Sequence, residues 1–399
     1  MTDPLLEPIS KPRRRRSATA LVIRGILVLF GVVWAWNFWQ VRRISQIVEI
    51  AERNGSVVTY HPSTVRNVIG FDLFPTIGAP ARVDLHSLQA EAGWYGRLRL
   101  LSEVNDLSLD RSNVQDDDLR NLRTLARLDH LDLSRTQISD AGLMHLAGLT
   151  KMQRLDLWRT AVTDDGLASL ADMDRLDALY LNDTKVTGRG LRHLTKLAGL
   201  TTLSMGGTAV DDDGLDSILS FPNLTDLTLY GTRIGDAGVE KIGRLRGLKR
   251  LLLGATNITD AGLVHLARLD ELEYLQLTQT RITGEGLRSV AALPNLWQLN
   301  LEHCNINDEG LELLADAPAI VELRLSGELI TNEGLRHIAR MPKLGRLILS
   351  SRSITDAGLE HLARAQELHT LELFQTSVTE AGVERLKKAH GRLRVRLGR

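Results

Sequence analysis

Cysteine is almost missing from this 399-residue chain: Cys304 stands alone, so no intrachain disulfide can form, although that does not by itself fix a redox compartment. Net charge is missing too. The 49 basic and 49 acidic residues cancel, which removes the global basic field that nucleic-acid binders use, and no nucleic-acid partner is expected. Catalytic signatures are equally scarce. No HExxH, CxxC or Ser-His-Asp arrangement occurs, and Gly188-Arg189-Gly190 lacks the third glycine of a phosphate loop. Neither an enzymatic activity, a cofactor, a metal site nor a small-molecule substrate is therefore expected. Long apolar runs are confined to one place, residues 21–39.

The rest of the chain repeats itself. Leu107, Leu131, Leu155 and Leu179 open a series with a step of 24 residues that reaches Leu371 and Val395 without insertion or deletion, and Val83 lies one step upstream as a degenerate first member. In each copy two apolar residues flank a variable one, as in Leu155-Asp156-Leu157, which predicts a short strand. A small polar residue follows the first leucine by five positions, as at Thr136, Thr160 and Thr184, where its side chain can bond the turn between coils. Cys304 holds the same register and is expected to be a structural thiol. Glu328 and Arg352 hold it in consecutive coils and are expected to pair. Next comes a helix start, with Ser139, Thr163 or Thr259 as cap and an acidic residue after it, then apolar residues at helical spacing such as Leu143, Leu146 and Leu149. Pro222, Pro294, Pro318 and Pro342 share the register that ends the helix. Repeats of this kind bury their core between neighbours and build one elongated domain.

The residues L-x-x-L-x-L-x-x-T-x-I-T-D-A-G-L, in phase over roughly 104–397, resemble the leucine-rich-repeat family in its TDAGL-type, 24-residue form. The resemblance implies an α/β horseshoe, with a concave parallel β-sheet, short convex helices and a concave face that binds macromolecules. It implies no chemistry.

Residues 21–39 carry a single charge, Arg24, and are long enough to cross a bilayer core of about 30 Å at about 1.5 Å per residue. They are expected to form one transmembrane helix that acts as a signal anchor, since no small-x-small cleavage pair follows. Lys11 and the arginines at 13–16 precede it while Arg42 and Arg43 follow, which places the N-terminus in the cytoplasm and the repeats outside the cytoplasmic (inner) membrane. Ile44, Ile47, Val48 and Ala51 suggest a juxtamembrane helix, 56–60 reads as a strand, and 65–85 is apolar enough to cover the first coil. The layout is thus a basic N-terminus (1–20), an anchor (21–41), a juxtamembrane and capping region (42–103) and a solenoid (104–399). It resembles that of bacterial membrane-anchored repeat proteins.

Function should reside in the positions that the repeat leaves free. His145, His193, His265, His337 and His361 share one helix register and are expected on the convex surface, not around a metal. The acidic triplets at 116–118 and 211–213 fall at helix starts. On the concave face, Trp158 and Tyr180 are expected to form one aromatic patch, bordered by Asp132, Arg135, Arg154, Asp156 and Arg159 and extended by Tyr230, Arg250 and Tyr274. Exposed Trp, Tyr and Arg are the residue types that dominate binding hot spots. The expected partner is a protein or a surface glycan, and the alternative role is a structural spacer without a specific ligand.

Overall fold

The computed structural model describes Glu49, residues 58–60 and residues 80–398. Each Leu-x-Leu triplet becomes a strand. The first two, β1 (Val58–Tyr60) and β2 (Pro80–Asp84), pair antiparallel. From β2 onward all strands run parallel in chain order: β3 (Asp106–Ser108), β4 (His130–Asp132), β5 (Arg154–Asp156), β6 (Ala178–Tyr180), β7 (Thr202–Ser204), β8 (Asp226–Thr228), β9 (Arg250–Leu252) and β10 (Tyr274–Gln276). The series continues through β11 (Gln298–Leu301), β12 (Glu322–Ser326), β13 (Arg346–Ser350), β14 (Thr370–Phe374) and β15 (Arg394–Gly398). Val83 faces Leu107, Leu107 faces Leu131, and the register holds to Leu371 facing Val395.

β1 supplies the strand expected within 56–60 and pairs the edge that β2 would otherwise leave open. Of the apolar segment 65–85, residues from Pro80 onward form the first parallel strand, with Val83 and Leu85 buried. The apolar stretch 21–39 and its flanking basic residues lie outside the described residues. So does most of the expected juxtamembrane helix, of which Glu49 is helical. Among the described residues, no helix is long and apolar enough to cross a membrane.

One core runs the length of the solenoid. In the fifth coil Leu155, Leu157, Val162, Leu167, Leu170, Met173 and Leu176 are all fully buried, and the same registers are buried in the coils on either side. At roughly 1.5–3 kcal/mol per buried aliphatic side chain, this packing outweighs any surface ion pair. The turn threonines do as expected: the hydroxyls of Thr136, Thr160, Thr184, Thr208, Thr232, Thr256 and Thr280 donate to the carbonyl three residues back at 2.5–2.7 Å. Buried Cys304 holds the same register but donates to the Leu277 carbonyl of the preceding coil (3.1 Å), the acceptor of Thr280, and burial raises its thiol pKa.

The T-D-A-G-L motif acquires a reason at each position. The Thr259 hydroxyl oxygen caps its own helix by accepting from the Ala261 N–H (3.3 Å). Its N–H and O–H donate to the two carboxylate oxygens of Asp236, the aspartate of the preceding coil, at 2.9 and 2.6 Å. A Cβ on Gly262 would lie 2.4 Å from that carboxylate, so glycine leaves room for it. Ala261 faces solvent and Leu263 enters the core. The same clamp joins Asp140 to Thr163, Asp260 to Thr283, Asp308 to Thr331 and Asp356 to Thr379. The Thr379 N–H and hydroxyl, with Arg385, hold the Asp356 carboxyl below its usual range. Gly188 and Gly284 replace the aspartate at two coils, and the clamp is interrupted there.

Glu328 and Arg352 do not form the expected side-chain pair. Both are exposed, and the Glu328 carboxylate accepts from the Arg352 backbone N–H (3.0 Å). Ser351, one residue earlier and buried, takes the turn position by donating to the Ile330 carbonyl (2.8 Å).

Candidate partner-binding face

Side chains between the buried pair of each strand point to the concave side, so one column reads Asp84, Ser108, Asp132 and Asp156. Strand spacing of about 4.8 Å sets Asp132 and Asp156 side by side. Asp132 accepts from the Ser134 N–H and hydroxyl (2.9 and 2.6 Å), and Asp156 from the Trp158 N–H (3.0 Å). Basic side chains nearby are engaged elsewhere: the Arg82 guanidinium with Asp106 (3.5 Å), the His86 ring with Asp84 (3.4 Å) and the His130 ring with Asp129 (2.5 Å). Burial pushes the Asp156 carboxyl up to about 6, and the carboxylates of Asp132 and Asp110 add to that, against the Trp158 N–H and Arg154. Arg82, Asp84, His86, Asp132, Arg154 and Asp156 are among the residues that line an open trough of about 420 Å³.

Beyond the trough the chain leaves each strand through a left-handed residue, at φ 55 for Arg135 and 53 for Arg159, and this turn carries both arginines to the rim. The Arg135 guanidinium lies 3.9 Å from the Trp158 ring centroid and that of Arg159 lies 5.3 Å from it. The indole N–H donates to Asp183 (2.8 Å), which also bridges Arg159 (3.2 Å). Arg154 lies over Tyr180 at 4.7 Å. Trp158 and Tyr180 make no ring–ring contact: each ring packs against guanidinium, and the ring–ring contact found among the described residues is Trp94 with Tyr95. The cause is register, since Tyr180 pairs across the sheet with Asp156, two residues from Trp158, and Arg154 on the same strand covers its ring.

Seven of the expected residues, Asp132, Arg135, Arg154, Asp156, Trp158, Arg159 and Tyr180, are thus brought together. Tyr230, Arg250 and Tyr274 lie two or more coils beyond Tyr180. Arg250 bridges Asp226 (3.2 Å) and covers Tyr274 (4.9 Å), and exposed Tyr230 donates its hydroxyl to Gln279 (3.4 Å). Sequence reasoning missed Asp84, His86, Asp106, Asp110 and His130, which complete the trough. Their signal was available, because they occupy the same three concave columns one to three coils upstream of Arg154, Asp156 and Trp158.

Of the histidines, His265 is exposed and His145, His193 and His361 are half-buried, but His337 is buried. It belongs to a seven-residue α-helix, Asn332–Ile338, and His361, half-buried, holds the same register in the equally long helix Asp356–Leu362. No histidine, cysteine or carboxylate cluster able to hold a metal occurs among the described residues.

Residues 246–306 match a family model described as leucine rich repeat, and residues 128–147 match a second with the same description. With the 24-residue register carried through the parallel sheet, this is a leucine-rich-repeat protein. Similar solved structures include an internalin from Listeria monocytogenes, with TM-score 0.59 and 20% identity over 79% of this chain and 86% of that one. Another is a leucine-rich-repeat protein from Leptospira interrogans, with TM-score 0.48 and 18% identity over 79% of this chain and 95% of that one. At such identities the likeness concerns the fold alone. No curated protein matches the chain in sequence.

Proposed function

We propose that this is a membrane-anchored, non-enzymatic binding protein that holds a protein partner against the N-terminal part of its concave face, outside the cytoplasmic membrane. One observation carries the choice of face: unbridged Asp132 and Asp156 lie beside Trp158, which is held between two arginines, so charge of both signs and a large aromatic converge on one patch. A protein offers groups of both signs to match it, and a glycan captured in place of a protein would contradict this assignment. The anchor rests on the apolar run 21–39 behind its arginines, and the orientation on the excess of basic residues ahead of it.

The test is capture by the full-length chain from crosslinked native membranes. Trp158→Ser with Tyr180→Ser should leave folding intact, because both side chains lie outside the core, and should weaken capture by about 2 kcal/mol or more, roughly 30-fold. Capture unaffected by the double variant would move the site elsewhere. Absence of any saturable capture would leave a spacer. External protease should digest the repeats in intact cells or spheroplasts, and full protection would reverse the orientation.

A further inference from the structure

The last strand, β15, pairs with β14 on one side and with no strand among the described residues on the other. Interior coils show what that free edge offers. The second buried leucine donates its N–H to the next coil, as Leu133 does to Asp156 (2.8 Å) and Leu157 to Tyr180 (2.9 Å). The carbonyl just before the strand accepts from the next coil, as Asp129 does from Arg154 (2.9 Å). Leu397 and Leu393 hold those two registers in the last coil, so the edge presents a donor and an acceptor spaced for another parallel strand.

Side chains specify what kind of strand. Val395 and Leu397 fall on the core side, with Leu397 exposed, while Arg394 and Arg396 fall on the concave side. There the charges alternate from strand to strand. Glu322 bridges Arg346 (3.6 Å), Arg346 bridges Glu372 (2.6 Å), and Glu372 bridges Arg396 (3.6 Å), which ends the series with 73% of its side chain exposed.

We propose that the outer edge of β15 accepts a strand of another protein that alternates acidic with apolar residues, its carboxylates meeting Arg394 and Arg396 and its apolar side chains covering Leu397. A second copy of the same edge does not fit, because antiparallel self-pairing would set the arginines of both copies against each other, and like charges placed opposite destabilise a sheet. Arginines on an edge discourage indiscriminate pairing. Here they also select the sign of the partner. The surface is independent of the concave site on β4 to β6, about ten strands or 48 Å away at strand spacing.

The probe is a synthetic peptide alternating valine and glutamate, compared at low salt with one carrying lysine in place of glutamate, each titrated into the full-length chain with amide exchange as the readout. The glutamate peptide should bind about tenfold more tightly, as two opposite-charge cross-strand pairs predict. It should protect amides 394–398, and Arg394→Glu with Arg396→Glu should reverse the preference. Equal affinities, protection elsewhere, or an unreversed preference would overturn the proposal. If the double variant fails to fold, Arg396→Gln must weaken the glutamate peptide by about threefold, and unchanged affinity would overturn it equally.

Discussion

On β4 and β5 the carboxylates of Asp132 and Asp156 stand side by side with no cation between them, whereas on β12 to β14 Glu322 and Glu372, both largely buried, are interleaved with Arg346. The scaffold beneath shares a buried leucine pair and a side-chain clamp to the next coil, while the turn threonines Thr136 and Thr160 give way to Glu328 and Ser351 in the C-terminal coils. Concave columns lie outside the continuous core, although a few of their members such as Ile348 and Asn300 are buried, so the charge difference between them is not imposed by the repeat. Where opposite charges alternate, the face satisfies itself. Where like charges adjoin and a half-buried carboxyl is pushed up to about 6, the face lacks its complement, and a partner is the natural source of one.

The comparison can be broken or sharpened by substitution. The largest effect should come from the shared scaffold: Asp236→Ala removes two charge-assisted hydrogen bonds to Thr259 and should cost about 3 kcal/mol in denaturant unfolding. Asp140→Ala, in the N-terminal half, should cost the same within about 0.5 kcal/mol. Unequal costs would mean that the halves differ in their scaffold as well as in their charge.

Glu372→Gln should cost about 2 kcal/mol, because it leaves Arg346 and Arg396 without their common carboxylate in a partly desolvated site. Asp156→Asn should do the reverse. Its amide oxygen can keep the Trp158 N–H while the crowded charge disappears, so the variant should be more stable than wild type at pH 7 by about 1 kcal/mol, allowing for solvent access to the trough. The sign follows from the raised pKa. Between the ordinary aspartate range and about 6 the folded state holds a proton that the unfolded state has released, so wild-type stability falls as pH rises through that window. The advantage of the variant should therefore vanish by about pH 4. A stability gain that persists at low pH would show that charge is not its origin. The smallest effect is expected at Arg352→Thr, within about 0.5 kcal/mol, since Glu328 bonds the backbone there and not the guanidinium.

The repeat was legible because each coil spells strand, turn and helix start locally, and a step of 24 residues copies the spelling. The aspartate clamp was not, because it links residues 23 apart, in different coils. In one-dimensional text Asp236 looks like an ordinary helix-start acid, and only the stacking of coils turns it toward Thr259. At the concave face the residue types around Trp158 could be read from the columns, and their contacts could not. Strand geometry gave the separation of Trp158 from Tyr180 but not the rotamer by which Arg154 takes the tyrosine face. Asp84 and Asp110 share the columns of Asp156 and Trp158 and were legible from the same register, in the coils of Val83 and Leu107.

The central claim, that the N-terminal concave coils bind and the C-terminal ones support, is tested most directly by placing a photo-crosslinking side chain at position 156 or at position 324 of the full-length chain in native membranes. The account predicts a saturable protein conjugate from position 156 and none from position 324. Equal conjugates from both positions, or a conjugate from 324 alone, would contradict it.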